Sequence, residues 1–289
     1  MNATVEPGAV VVGVDGSESG TRALLWAARE AEMRRAPLHL VHAWTSSLLH
    51  GSQRPAQGLA EPEARGTTLL DDARHQVAEL TPRVRIETHL VTGEASTALV
   101  RSAQNASVLA VGSRGHGGFP GLLLGSTGVR VASHGSCPVA VVREDEDGPV
   151  LVGVDGSAEA DDALRLAFEE AEMRGTSLTA LHAYPYPVPI GVEVVIWGDD
   201  REVPEQAQAL LAASVERWSE KFPHVPVQRM FVTATPAQAL VQASADAGLV
   251  VVGCRGRGAF ARTLLGSTSQ TLVQHSHCPV LVVHRGAMP

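Results

Sequence analysis

The sequence predicts an α/β chain made of two tandem, doubly wound domains, each with a five-stranded parallel sheet. Three observations carry the prediction. The chain repeats itself: VVVGVDGS at Val10–Ser17 returns as VLVGVDGS at Val150–Ser157, and AEMRRAPLHLVHAW at Ala31–Trp44 returns as AEMRGTSLTALHAY at Ala171–Tyr184, both at an offset of 140. Short apolar runs alternate with longer stretches of helical periodicity, the pattern of parallel strands covered by helices. The length of 289 residues with 44% hydrophobic and 19% charged residues suits two soluble domains at roughly 100–200 residues each.

The elements of the first half follow in order. Val10–Asp15 is a short apolar run and reads as a buried strand. Ser17 is placed to cap the next helix, with Ala23, Ala27, Ala28 and Ala31 on its inner side. Leu38–Ala43 is strand two. After a polar Gly/Pro/Ser stretch, Thr67–Leu80 is helix two, Val84–Val91 strand three and Ser96–Gln104 a short helix. Val108–Gly112 is strand four, a glycine-rich loop follows, and Ser126–His134 is the next helix. Val139–Val142 is strand five, opened by Pro138 where a missing N–H does little harm. VLAVGSRGHGGF at Val108–Phe119 returns as LVVVGCRGRGAF at Leu249–Phe260, and CPVAVV at Cys137–Val142 as CPVLVV at Cys278–Val283. The offset is now 141, so one residue was gained between Tyr184 and Val232. A period this long marks a duplicated domain, not a solenoid. The domains read as 1–143 and 149–289, with the acidic stretch Glu144–Gly148 as a solvated linker.

The net charge of −8 argues against a nucleic-acid partner, which needs a basic surface. MNATVEPGAV lacks a basic region followed by an apolar one, and no apolar run approaches the roughly 20 residues of a membrane span. Three cysteines with no CxxC pair point to a reducing cytoplasm. The expectation is a cytoplasmic protein without membrane contact.

The chemistry gathers in the glycine loops. Gly112, Gly115 and Gly125-Ser126 fit G-x2-G-x9-G-[ST], and Gly253, Gly256 and Gly266-Ser267 fit it again, each set after a buried strand and before a helix. Glycine tolerates positive φ and lets backbone approach a ligand. A bent loop ending at a helix start aims several N–H groups at one point, which suits phosphate. Ser126 and Thr127, like Ser267 and Thr268, add hydroxyl donors. The plainer reading is a surface loop with an N-cap serine.

These residues resemble the universal stress protein family. The carriers are the VGVDGS opening, the HAW or HAY end of strand two, the GSRG and GCRG starts, both GST endings and the closing CPV, and they cover nearly the whole chain twice. The resemblance implies a Rossmann-like fold with strand order 3-2-1-4-5 and a ligand crevice between strands one and four. It implies ATP in each of two sites, with Mg2+ as a candidate companion, because the family's ATP-binding members keep this glycine pattern. It assigns Asp15 and Asp155 to the ribose, Gly13 and Gly153 to close nucleotide approach, and the backbone of Ala43 and Ala183 to the adenine edge. Asp15 also reads as a plain turn residue. Arg114 and Arg255 are placed either to meet phosphate or to pair with a surface carboxylate. Gly117 and Gly258 extend the loops, and Arg262, where the first copy has Gly121, adds a phosphate contact to the second site alone. Ser113 is matched by Cys254. A thiol in such a loop can be reactive, although an inert small residue is the plainer reading; Cys137 and Cys278 read as buried thiols.

Other motifs fail. There is no G-x4-G-K-[ST] and no G-x-S-x-G elbow. The GxGxxG-like run at Gly256 follows the wrong strand. Twelve histidines give no linear metal motif, and His42 and His182, which recur on strand two, read as satisfied core residues. No catalytic residue or metal ligand is assigned. The leading expectation is an ATP-holding regulatory module acting through protein partners in stress or growth signalling, and a homodimer of tandem chains is compatible with it. A slow ATP hydrolase or phosphotransferase, and an AMP or cyclic-AMP binder, stand as alternatives.

Overall fold

A computed structural model describes residues 5–45, 60–115, 125–144, 147–184, 196–197, 204–256 and 265–286, with backbone only at 60–61 and 196–197. The described residues group into two compact units that divide between Arg143 and Glu144. Of the expected linker, residues 145–146 lie outside the described residues.

In the first unit the order is β1 (Val10–Gly13), α1 (Glu18–Arg34), β2 (Leu38–Trp44), α2 (Ala60–Leu80), β3 (Ile86–Thr92), α3 (Ala95–Ser102), β4 (Val108–Gly112), α4 (Ser126–His134) and β5 (Val139–Val142). The strands pair in the order β3-β2-β1-β4-β5, every pair parallel. The central strands read as continuous apolar runs because both their faces are covered; Val10–Val12 and Val108–Ala110 are fully buried. α1 starts at Ser17, whose hydroxyl accepts from the Gly20 N–H at 3.0 Å, and it packs through the fully buried Ala23, Ala27, Ala28 and Ala31.

α2 begins seven residues before the expected Thr67. Pro62 and Gly66 made this stretch look like loop. Pro62 stands in the first turn, where no intrahelical N–H is needed. Gly66 is in the helix because a Cβ there would lie 2.7 Å from Leu90 Cδ1 and 2.9 Å from His42 Cδ2.

The second unit repeats the pattern with β6 (Val150–Gly153), α5 (Ala158–Arg174), β7 (Leu178–Tyr184), β8 (Ile196–Trp197), α6 (Glu205–Ser219), β9 (Val227–Thr233), α7 (Pro236–Ala243), β10 (Leu249–Gly253), α8 (Ser267–His275) and β11 (Val280–Val283). Its parallel strands run β9-β7-β6-β10-β11. The expectation of five strands needs one addition here: β8 pairs antiparallel with β9 through Ile196↔Thr233 and Trp197↔Val232. It is only two residues long, too short for a sequence pattern.

α3 is started by an acidic cap. Burial tends to raise the Glu94 carboxyl, but Ser96 Oγ at 2.6 Å, both Thr97 donors at 2.9 Å and the Ser96 N–H at 3.2 Å outweigh it, and the group falls from 4.5 to about 2. In the second unit Thr235 fills the same role. Because the folded-state value is depressed, the contribution of Glu94 is full above pH 4.5 and drains away as pH falls towards 2. Glu94→Ala is therefore expected to cost roughly 1 kcal/mol at neutral pH, the usual worth of a side-chain cap at a partly exposed site. Urea midpoints of variant and parent, measured downward from pH 6, should converge as the pH is lowered.

Candidate functional site

The connections leaving β1 and β4 turn to opposite faces of the sheet, so a crevice opens at the carboxyl ends of these strands. In the first unit it is a cavity of about 550 Å3. Gly13 and Gly112 end the two strands at its floor. Asp15, Arg114 and Gly115 stand on the turns beyond them, Ala43 on the end of β2, and Gly125, Ser126 and Thr127 at the start of α4. All these predicted residues line the cavity. Ser113 does not: it is buried, its N–H donates to the Val142 carbonyl at 3.0 Å, and its carbonyl accepts from Gly125 N at 2.8 Å. That last bond closes the loop and brings Gly125 back to β4. Gly117 lies outside the described residues.

Gly112, Gly115 and Gly13 are explained by space. Among the described residues of the motif, none has a positive φ; that conformation falls to Gly16 and Gly156, both at 78°, in the two VDGS turns. A Cβ on Gly112 would lie 2.6 Å from the backbone carbonyl carbon of Ser19, so the end of β4 and the first turn of α1 meet where no side chain fits. A Cβ on Gly115 would lie 2.6 Å from Asp15 Oδ2. Gly13 has a different reason from nucleotide approach: Leu99 of α3 sits over it, 3.0 Å from where a Cβ would be.

Asp15 divides its oxygens. Oδ1 accepts from the Ser17 N–H at 2.9 Å and from Ser17 Oγ at 2.7 Å, the turn role. Oδ2 takes no hydrogen bond among the described residues and points at Gly115, inside the cavity. The loop after β4 is tied to α1 by Ser19, whose hydroxyl donates to the Arg114 carbonyl and accepts from the Arg114 N–H at 3.1 Å. The Arg114 side chain is exposed and has no ion pair among the described residues.

α4 has no side-chain cap. Its N-cap is Gly125, so Ser126 is the first helical residue and not a capping serine. The first N–H groups of a helix have no intrahelical partner and carry partial positive charge. Here they belong to Ser126, Thr127 and Gly128, all on the cavity wall. His42 also lines the cavity while its Nδ1 donates to the Val14 carbonyl at 2.6 Å, and His182 does the same to Val154 at 2.6 Å. Sequence reasoning missed Ala95, Leu99 and Gly20. The available signal for Leu99 was its repeat as Leu240, which lies 2.8 Å from a Cβ placed on Gly153.

The second unit holds the same parts. Gly153 and Gly253 end β6 and β10, Ala183 is the penultimate residue of β7, and Gly266 is the uncapped start of α8, followed by Ser267 and Thr268. Asp155 Oδ1 accepts from the Ser157 N–H at 2.9 Å, and a Cβ on Gly256 would be 2.5 Å from Asp155 Oδ2. Cys254 is buried like Ser113 and makes the same closing bond, its carbonyl accepting from Gly266 N at 2.7 Å. Arg255 stands where Arg114 does, with its Nε buried and lacking a partner among the described residues. Gly258 and Arg262 lie outside the described residues.

The family model described as the universal stress protein family matches residues 8–143 and again 148–284. The chain belongs to the universal stress protein family. It is 36% identical over 287 residues to a universal stress protein of Mycobacterium tuberculosis, covering 94% of this chain and 95% of that protein. It is 35% identical over 285 residues to one from Mycolicibacterium smegmatis, covering 95% and 96%. In fold it is similar to the crystal structure of a universal stress protein from Archaeoglobus fulgidus, with a TM-score of 0.74 at 22% identity over 98% of this chain and 100% of that one. No described helix is long and apolar enough to cross a membrane.

In this universal stress protein the three thiols are all buried. Burial pushes Cys137 up to about 12, far from a reactive thiolate. None of Cys137, Cys254 and Cys278 is expected to react with a thiol-specific aromatic disulfide in the folded protein at pH 8, and all three should react in denaturant. Fast labelling of Cys254 under native conditions would show that its loop is a redox-accessible site instead.

Proposed function

We propose that this universal stress protein is a cytoplasmic regulatory module that holds ATP at the crevice between the first and fourth strands of each unit. The nucleotide state would set its contacts with protein partners in stress or growth signalling. The observation that carries this reading is the uncapped N-terminus of α4 facing the same cavity as the outward oxygen of Asp15. One end offers N–H groups with no partner among the described residues, and hydroxyls, to an anion, and the other an acceptor to sugar hydroxyls. The reading assigns Ser126, Thr127 and Gly128 to the phosphates, with Mg2+ on the phosphate oxygens. It assigns Asp15 to the ribose and the β2 end, Val41 to Ala43, to the adenine. The second site uses Gly256, Gly266, Ser267, Thr268 and Asp155 in the same roles. Phosphoryl transfer needs a base or a positioned nucleophile near the terminal phosphate. Asp15 is assigned to the far end, which favours holding the nucleotide over turning it over.

The glycine variants test the placement. Gly115→Val pushes a side chain into Asp15 Oδ2 and is expected to weaken ATP at the first site about 10–100-fold, the equivalent of ~1–3 kcal/mol of overpacking. Calorimetry should show stoichiometry falling from two to one, and to none when Gly256→Val is added, with circular dichroism unchanged. A folded double variant that binds ATP as the parent does would place the nucleotide elsewhere. Steady-state turnover near the ~10 s−1 median of enzymes would make the protein a hydrolase.

A further inference from the structure

At the amino-terminal end of the first unit's sheet, β2 and β3 bring three metal-competent side chains together. His39 is in register with Glu87, and His89 follows Glu87 by two residues, so all three project from one face. His39 Nδ1 is 2.8 Å from His89 Nε2, and the two rings lie edge to edge with centroids 5.0 Å apart and planes within 7° of parallel. Glu87 Oε2 is 3.8 Å from the same His39 nitrogen, and one ligand atom from each residue lies within 4.8 Å of the others. The far side of His39 adds a separate observation. The ring is only 1% exposed, and its Nε2 is buried with no hydrogen-bond partner among the described residues, with Glu6 Oε1 the facing acceptor at 3.6 Å. Arg85 holds Glu6 and reaches Glu87 at 3.5 Å, so it steadies both carboxylates.

We propose that His39, Glu87 and His89 form a binding site for one divalent transition metal of the Zn2+ class, with Glu6 accepting from the far nitrogen of His39. Two imidazoles and a carboxylate suit Zn2+, whereas Mg2+ and Ca2+ take oxygen ligands. A histidine that binds metal through one nitrogen regularly donates from the other to a carboxylate, which matches the place of Glu6. Bonds of about 2.0–2.2 Å put tetrahedral donors roughly 3.3 Å apart. Binding needs the two nitrogens to part slightly, the His89 ring to turn so that both lone pairs face one point, and Glu87 to close in. Glu6, Glu87 and His89 leave the site open to water, so an ion can enter.

The duplicated unit argues that the fold itself does not ask for these residues. Its β7 and β9 have the same register, and the matching positions are Thr179, Gln228 and Met230. One metal per chain is the consequence. The site is also separate from the crevice: His39 is the second residue of β2 and Ala43 the sixth, about 13 Å apart along a strand.

The test uses the full chain, free of any polyhistidine tag and stripped with a chelator. Zn2+ titration by calorimetry should give one tight site and a raised melting temperature, and Co2+ should give the intense visible bands of a four-coordinate N/O site. His89→Met and Glu87→Gln install the residues that the second unit already tolerates. Each folded variant is expected to lose at least about 100-fold in Zn2+ affinity, and Glu6→Gln about 10-fold. His224→Gln, an exposed histidine elsewhere, should change nothing. No saturable Zn2+ site in the parent would overturn the proposal and leave a plain hydrogen bond between two histidines. Parent-like affinity in both folded ligand variants would overturn it as well.

Discussion

The crevice depends on one crowded crossing. The carboxyl end of β4 runs into the first turn of α1 so closely that a Cβ on Gly112 would strike the Ser19 backbone at 2.6 Å, and in the second unit a Cβ on Gly253 would lie 2.8 Å from Glu159 O. Backbone against backbone leaves no slack, so the loop after β4 leaves the sheet in a fixed direction. Ser19 then ties Arg114 to α1, and the Ser113 carbonyl holds Gly125. The position of the α4 N-terminus follows from these contacts, not from a cap of its own. A side chain at Gly112 would therefore act on the site through the placement of α4, without touching a ligand.

The electrostatics of the cavity follow from what is left unpaired. A capped helix start has spent part of its donor capacity on a side chain. α1 is capped by Ser17 and α3 by Glu94, and both serve the fold. α4 and α8 begin at glycines with no side-chain cap, and these two helices follow the glycine loops. Unpaired N–H groups at a helix start favour an anion, and in the first unit they share a cavity with a carboxylate oxygen that repels one. In the proposed reading the two demands act on different parts of one ligand, a polar neutral part near Asp15 and an anionic part near α4.

Much of this was legible in the sequence, because the duplication allows each pattern to be checked against itself. The strands, the Ser17 cap, the alanine face of α1 and the strand order implied by the family all appear as expected. The reasons were less legible than the positions. Glycine suggests positive φ, yet Gly112, Gly115, Gly253 and Gly256 are there for close approach, a property of what lies opposite and not of local sequence. The start of α2 was hidden because Pro62 and Gly66 signal a break locally, while packing against Leu90 and His42 overrides the signal. The cluster at His39, Glu87 and His89 has no linear spacing to find, since it exists only when β2 and β3 are paired in register.

The two copies also show what each unit can change. Ser19, the tie to Arg114, is Glu159 in the second unit, and Gly20 is Ala160. Gly20 is tightly placed in the first unit, where a Cβ would collide with Asp15 Oδ1; the second unit carries that Cβ and still sets Asp155 Oδ2 against Gly256. In the second unit Ser269, where the first has Gly128, donates to the Gly253 carbonyl at 2.6 Å and supplies a different tie between the helix and the strand end. The loops are thus fastened by different side chains at different backbone positions, Arg114 in the first unit and Gly253 in the second. What both copies keep is the strand-end glycine, the aspartate beyond the first strand and the uncapped helix; what differs is the means of holding them. Sites that share donors but differ in their fastening should differ in how readily they open, and so in affinity, even for the same ligand.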